Sequence, residues 1–176
     1  MAKISETDLY PPVKTYLEDL GYDVKSEVGA ADVVALRPGE DPLIVELKIG
    51  FSLTLLQQAV ARQAISDTVY VAVPRWSGKP GWRAFKANVG LCKRLGVGVI
   101  SVQLKDGHVQ VHADPRPFQP RKSKPRRGAL LGEFDRREGD PNLGGTRGAI
   151  ITAYRQEAEC SGIMLRRVFV IAFFVC

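Results

Sequence analysis

Residues 29–50 read GAADVVALRPGEDPLIVELKIG, and this stretch constrains the fold more than any other part of the chain. Ala31–Leu36 and Leu43–Ile49 are apolar and rich in β-branched residues. Between them, Arg37-Pro-Gly-Glu-Asp-Pro42 is dense in turn formers, so the two runs form a β-hairpin. Yet the second run carries Glu46 and Lys48. Side chains alternate along a strand, so these two share one face while Val45 and Leu47 share the other. A turn near Pro38–Glu40 brings Asp32 beside Glu46. Two carboxylates and one ammonium then meet on strands apolar enough to be central. Buried charge is costly unless it is paired or binds a metal, so a strand that keeps such groups uses them. On the hairpin alone, a solvated face of an edge hairpin accounts for the charges equally well. The order of elements around it decides.

Ser5-Glu6-Thr7-Asp8 has the pattern of a helix start, with a capping serine and an acid three residues on. Leu9, Val13, Tyr16, Leu17 and Leu20 follow at helical spacing, and Gly21 is placed as a C-terminal cap. Pro11 and Pro12 interrupt the pattern. Either the helix kinks there, or it begins at the prolines and Glu6 lies on a short preceding turn. Tyr22–Val28 reads as a strand leading into the hairpin. After it, Phe51–Thr54 opens a helix with Leu53, Leu56, Val60 and Ala64 on one face. Thr68–Pro74 is a short buried strand. Trp76–Gly81 reads as loop, and Trp82–Leu95 as a helix with Phe85, Val89, Cys92 and Leu95 in one stripe. Val97–Leu104 and Val109–Ala113 are strands joined at Asp106-Gly107. The expected class is α/β: an αβββαβ core with a mixed sheet flanked by helices, followed by one more helix and two strands.

At Asp114 the text changes. Residues 114–127, DPRPFQPRKSKPRR, hold four prolines and six basic residues. The expected organisation is a core domain over 1–113, a Pro/Arg-rich linker over 114–128, and a small basic, partly helical segment over 129–176. Residues 149–160 are the helix expected there, and the apolar run 164–176 reads equally as a buried strand, with nothing nearby in sequence to pair with, or as an altered reading-frame end. Net charge is +6 and uneven. Residues 1–113 carry 13 basic and 12 acidic side chains, and residues 114–176 carry 12 and 7. A basic extension on a near-neutral domain suits a polyanion such as nucleic acid, and equally a linker kept soluble by charge. Cys92, Cys160 and Cys176 are too scattered for a disulfide framework or a metal pair, which points to a reducing compartment. The polar N-terminus lacks an apolar signal core, and the longest apolar run falls short of the ~20 residues that span a bilayer. The expected location is cytoplasmic, with no membrane partner.

Helix, strand with Asp32, strand with Glu46-Leu47-Lys48, helix and strand, in that order, resemble the PD-(D/E)xK nuclease superfamily, the group of restriction endonucleases and Holliday-junction resolvases. Over about residues 5–113 the chain is similar to a bacterial family of PD-(D/E)xK-type phosphodiesterases. Thirteen residues separate Asp32 from Glu46, and Ala31 stands where many members have proline. The resemblance implies a restriction-endonuclease-like fold and metal-dependent hydrolysis of phosphodiester bonds in nucleic acid, with DNA the expected substrate. It also raises a homodimer as a partner.

The chemistry fits the residues directly. A cation neutralises the phosphate and lowers the pKa of a water. Mg²⁺, with Mn²⁺ as substitute, takes few carboxylates and keeps several waters. Asp32 and Glu46 supply two ligands and the Leu47 carbonyl a third, with Lys48 beside them to orient water or offset negative charge. Glu6 matches the first-helix acid of resolvase-like members, and helix capping explains it as well. Gln58 and Arg62, four apart, share a helix face, and Gln58 completes the candidate catalytic set of Asp32, Glu46, Lys48 and Glu6. Glu27, five residues before Asp32, reads either as facing the site or, the stronger reading, as a surface strand position, and His108 and His112 are expected as exposed strand histidines. The alternative function is a nucleic-acid-binding module that keeps the nuclease fold without catalysis.

Overall fold

The computed structural model describes residues 4–76, 78–145, 148 and 150–161. The apolar run 164–176 lies outside the described residues. The chain divides into two compact units, 1–120 and 121–176.

The first unit is built on one six-stranded sheet in the order β1 (Asp23–Val28), β2 (Ala31–Leu36), β3 (Leu43–Leu47), β4 (Val69–Pro74), β5 (Gly98–Gln103) and β6 (His108–Ala113). The first three strands form an antiparallel meander, β3, β4 and β5 run parallel, and β6 returns antiparallel. The two parallel steps are made by α2 (Leu53–Arg62) and α3 (Gly78–Leu95), while α1 (Tyr10–Asp19) precedes β1. This is the αβββαβ order expected from the sequence, in a mixed sheet with helices on both faces.

Alternation along the strands sorts the core into two layers. Val33, Ala35, Val45 and Leu47 join Leu9, Val13 and Leu17 of the N-terminal helix on one face. Ile44, Val69, Val71 and Val73 join Leu55 and Ala59 of α2 and Phe85, Val89 and Cys92 of α3 on the other. Every residue of β3 is buried, Glu46 included. A strand covered on both faces has no solvated side, which disposes of the edge-hairpin reading of Glu46.

The N-terminal ambiguity resolves at the prolines. Glu6–Leu9 is a short 3-10 turn, and α1 starts at Tyr10 with Pro11 and Pro12 in its first turn, where a missing N–H costs nothing. Asp8 accepts from the Ser5 backbone N–H at 2.8 Å. The hydrophobic face expected on α2 is rotated from the observed one. Leu53 and Val60 are exposed, and the buried residues are Leu55 and Ala59. α3 begins at Gly78, four residues earlier than the periodicity of its apolar stripe indicates.

In the second unit, α4 (Lys124–Arg136) is capped by the Ser123 hydroxyl, so residues 124–128, expected to end a linker, begin a helix with Pro125 in its first turn. Residues 153–161 form a further helical segment. Glu133 of α4 accepts from Arg137 at 2.8 Å and from the Ala153 backbone at 3.0 Å, and Asn142 pairs twice with the Ile151 backbone at 2.8 Å. Among the described residues of this unit, Leu130, Phe134 and Tyr154 are exposed.

Candidate active site

The β2–β3 pairing sets the site. Val33 lies opposite Val45, and Ala35 opposite Leu43. One further step in that register puts Asp32 opposite Glu46. The ladder gives way there to a side-chain bond: the Leu47 backbone N–H donates to Asp32 Oδ2 at 2.7 Å. The Asp32 carboxylate is thereby fixed at the end of β3.

Glu46 has no solvent exposure. Its Oε1 accepts from Arg62 Nε at 2.7 Å, while its Oε2 is buried without a hydrogen-bond partner among the described residues. Arg62, on the last turn of α2, also donates to the Ala30 carbonyl, two residues before Asp32. Burial pushes the Glu46 carboxyl above the usual carboxylate range, the Arg62 bond pulls it back, and the negative charge of Asp32 pushes it up again. Lys48 lies one residue past the end of β3. Its Nζ donates to Glu6 Oε2 at 2.9 Å, and that bond raises the ammonium pKa, with the charges of Glu6, Asp32 and Glu46 adding to it. At neutral pH Lys48 is therefore a cation and a donor, not a base.

The structure accordingly brings together Asp32, Glu46, Lys48 and Glu6, from three separate elements. Gln58 lies one helical turn before Arg62, and its Oε1 is also buried without a hydrogen-bond partner among the described residues. A cleft of about 310 Å³ opens beside them, lined by Glu6, Thr7, Tyr10, Ser26, Glu27, Asp32 and Leu47. Glu27 is exposed, lines this cleft, and lies in the left-handed region with φ of 52°. His112 corrects its expectation: it is partly buried, bonded to Ser101 Oγ at 2.8 Å, with its ring against Phe85 and Trp76. The role of Arg62 as the partner of Glu46 was not assigned from the sequence. The legible signal for it was the four-residue spacing from Gln58.

The donor set fits a hard divalent cation. Asp32 retains one oxygen outside its bond to Leu47, and Glu46 Oε2 is a buried acceptor with nothing to accept from. Two carboxylates with room for water match the few-ligand habit of Mg²⁺ and Mn²⁺. No group of three or more His, Cys, Asp or Glu side chains able to hold a metal occurs among the described residues.

Two carboxylates and an ammonium thus gather at the end of the central strands of an αβββαβ sheet. The family model described as "Putative PD-(D/E)XK phosphodiesterase (DUF2161)" matches residues 99–168. The match runs through β5, β6 and α4, and Asp32, Glu46 and Lys48 lie before it. Two solved structures are similar at low identity. An XisH family protein from Nostoc punctiforme PCC 73102 is 18% identical, with a TM-score of 0.42 over 59% of this chain and 98% of that one. An fdxN element excision controlling factor protein from Anabaena variabilis is 15% identical, with a TM-score of 0.37 over 62% and 99%. No curated protein matches the chain. No helix among the described residues is long and apolar enough to cross a membrane.

Proposed function

We propose that the chain is a metal-dependent phosphodiesterase that hydrolyses nucleic acid, DNA being the expected substrate, and that it acts in the cytoplasm. The observation that carries this reading is Glu46: fully buried, with one carboxylate oxygen unpartnered, and in register with Asp32. A carboxylate oxygen left in that state costs stability, and a cation there relieves it. Asp32 and Glu46 would hold Mg²⁺ or Mn²⁺, with the Leu47 carbonyl as a third ligand. The cation supplies charge neutralisation at the phosphate and a water of lowered pKa.

The protein's own groups do the rest. The Leu47 N–H holds Asp32 in one orientation. Lys48, kept protonated by Glu6, donates to the attacking water or to a phosphate oxygen and offsets the negative charge that develops there. Glu6 positions that ammonium. Arg62 compensates Glu46 and ties α2 to the start of β2. Gln58 offers an amide on the same helix face.

One observation favours the second reading, a nucleic-acid-binding module without catalysis. Arg62 already supplies a positive charge at Glu46, so the fold is compensated in part without a metal. A single comparison separates the two. Labelled linear, nicked and branched DNA is incubated with wild type, Asp32→Asn and Lys48→Ala, in Mg²⁺ or Mn²⁺ and in EDTA. The nuclease reading expects cutting only with metal and a loss of orders of magnitude in both variants, with circular dichroism unchanged. Wild type that binds DNA but cuts none of it with either metal would hand the case to the binding module, and Lys48→Ala cutting as well as wild type would remove Lys48 from the chemistry.

A further inference from the structure

Charge in the first unit is balanced overall but not evenly placed. Between Asp67 and Asp106 the sequence has no acidic residue and seven basic ones. Most of these lie on α3. Lys79, Arg83 and Lys86 follow one another at spacings of four and three, which puts them on one face of the helix, and Lys93 continues that row two turns on. All four are exposed, and none makes an ion pair or hydrogen bond among the described residues. A solvated helix that serves only solubility usually interleaves both signs. Here nothing offsets the field.

The start of α3 carries a second feature. Trp82 is 41% exposed, a large area for an indole. It is held from behind: Trp76 lies 4.6 Å away between ring centroids, and Phe85 stacks at 6.1 Å with 18° between planes. Arg75 sits over the Trp76 ring at 5.3 Å. The indole is therefore held against two other rings while 41% of the residue stays exposed. Phe51, three residues past Lys48, packs edge-on against Phe85 at 5.7 Å. Arg75 directly follows β4, and Lys48 directly follows β3, its parallel neighbour, donating its backbone N–H to the Ala72 carbonyl at 3.1 Å. The aromatic corner and the candidate active site thus occupy the same edge of the sheet.

We propose that α3 and this aromatic corner form a docking track for single-stranded nucleic acid, with Lys79, Arg83 and Lys86 on phosphates and Trp82 stacking on an unpaired base. The proposal rests on the nucleic-acid reading of the cleft and extends it by naming the strand state recognised. The partner follows from the chemistry. An acid-free basic row fits a polyanion. An exposed aromatic ring beside it fits a base outside a duplex, since paired and stacked bases offer no free face. Stacking tolerates any base, so this surface tracks a strand without reading its sequence.

Trp76 and Trp82 are the only tryptophans of the chain, so intrinsic fluorescence reports from the corner itself. The experiment titrates the full chain, in EDTA, with an oligothymidylate and with a blunt duplex of equal length. Single strands are expected to quench the tryptophans and duplex to quench them far less. In a salt titration followed by anisotropy of a labelled single strand, the Lys79→Ser/Arg83→Ser/Lys86→Ser variant is expected to lose about 2 from the log–log slope, three phosphates at ~0.7 each. Trp82→Ala is expected to weaken single-strand binding by about tenfold. Circular dichroism checks that both variants fold. A wild-type salt slope in the triple variant, or equal quenching by duplex, overturns the track. Because no metal is present, the result is independent of cutting. Quenching that persists in a protein unable to cut upholds the track and counts against hydrolysis, whereas metal-dependent cutting with a wild-type slope in the triple variant does the opposite.

Discussion

Arg62 is the residue on which the metal-free site depends. Its side chain is 14% exposed and Glu46 not at all, so the pair sits where removing one partner strands the other. Arg62→Ala is expected to cost about 3–5 kcal/mol, the usual penalty for an orphaned buried charge. Replacing both residues, Arg62→Met with Glu46→Leu, removes the charges together and is expected to recover most of that loss. Urea unfolding of the two variants checks it, and a double replacement no better than Arg62→Ala would mean the pair is not the cause. His112 adds a pH dependence. Burial, chiefly, and the charge of Arg75 hold its pKa below the ordinary histidine value. Lys93, Asp114 and Arg116 share the hollow beside it, and Ser101 bonds its ring. A depressed folded pKa means the unfolded chain takes up the proton first. Stability is then full above about pH 6.5 and is lost as pH falls through the lower folded value. His112→Gln should flatten unfolding free energy between about pH 7 and pH 5, as read by urea unfolding across that range.

The elements differ in how far the sequence reveals them. β2 runs over Ala31–Leu36, as alternation and turn chemistry indicate, and with it the placement of Asp32 against Glu46 was legible. Those signals are local: a period of two and a run of turn formers. The facing of α2 was not legible. Leu53, Leu56, Val60 and Ala64 make the more apolar stripe, but the helix turns Leu55 and Ala59 inward and brings Arg62 to Glu46. A buried polar partner adds nothing to an apolar stripe, so periodicity alone misses it. The start of α3 was hidden for a similar reason, because Gly78, Pro80 and Gly81 read as loop while the helix takes them into its first turn. Between β4 and β5 the packing makes a sharper demand. Gly98 lies opposite Tyr70, and a Cβ there would come within 2.3 Å of the Tyr70 ring. That ring cannot swing freely, since its hydroxyl donates to Asp114 Oδ1 at 3.2 Å. Gly98→Ala is expected to cost about 1–3 kcal/mol by overpacking. In a Tyr70→Leu background the same change should cost clearly less, and a double-mutant cycle from urea unfolding reads the coupling. Equal costs in both backgrounds would show that the ring is not the obstacle.

At the scale of the whole molecule, the division at residue 120 sets up the last test. The first unit contains the sheet, both core layers and every residue of the candidate site. The second has hydrogen bonds around Glu133 and Asn142 and leaves Leu130 and Phe134 exposed. Ten residues, 114–123, have no regular secondary structure and join the end of β6 to α4. Backbone of this kind is where proteases enter, so limited trypsin is expected to cut first after Arg121 or Lys122. A core that buries its own apolar layers does not need the second unit to fold. The family match runs from residue 99 to 168, across that division. On the proposed function, the basic side chains Arg121, Lys122, Lys124, Arg126 and Arg127 would add phosphate contacts without touching the chemistry. The fragment 1–120 is therefore expected to unfold cooperatively, to retain metal-dependent cutting at high DNA concentration, and to bind DNA more weakly with a shallower salt slope than the full chain. Circular dichroism melts, cleavage at two DNA concentrations and a salt titration of binding check the three parts together. A fragment that folds and binds like the full chain but cannot cut would move part of the catalytic machinery into residues 121–176, and one that cannot fold would make the second unit part of the core.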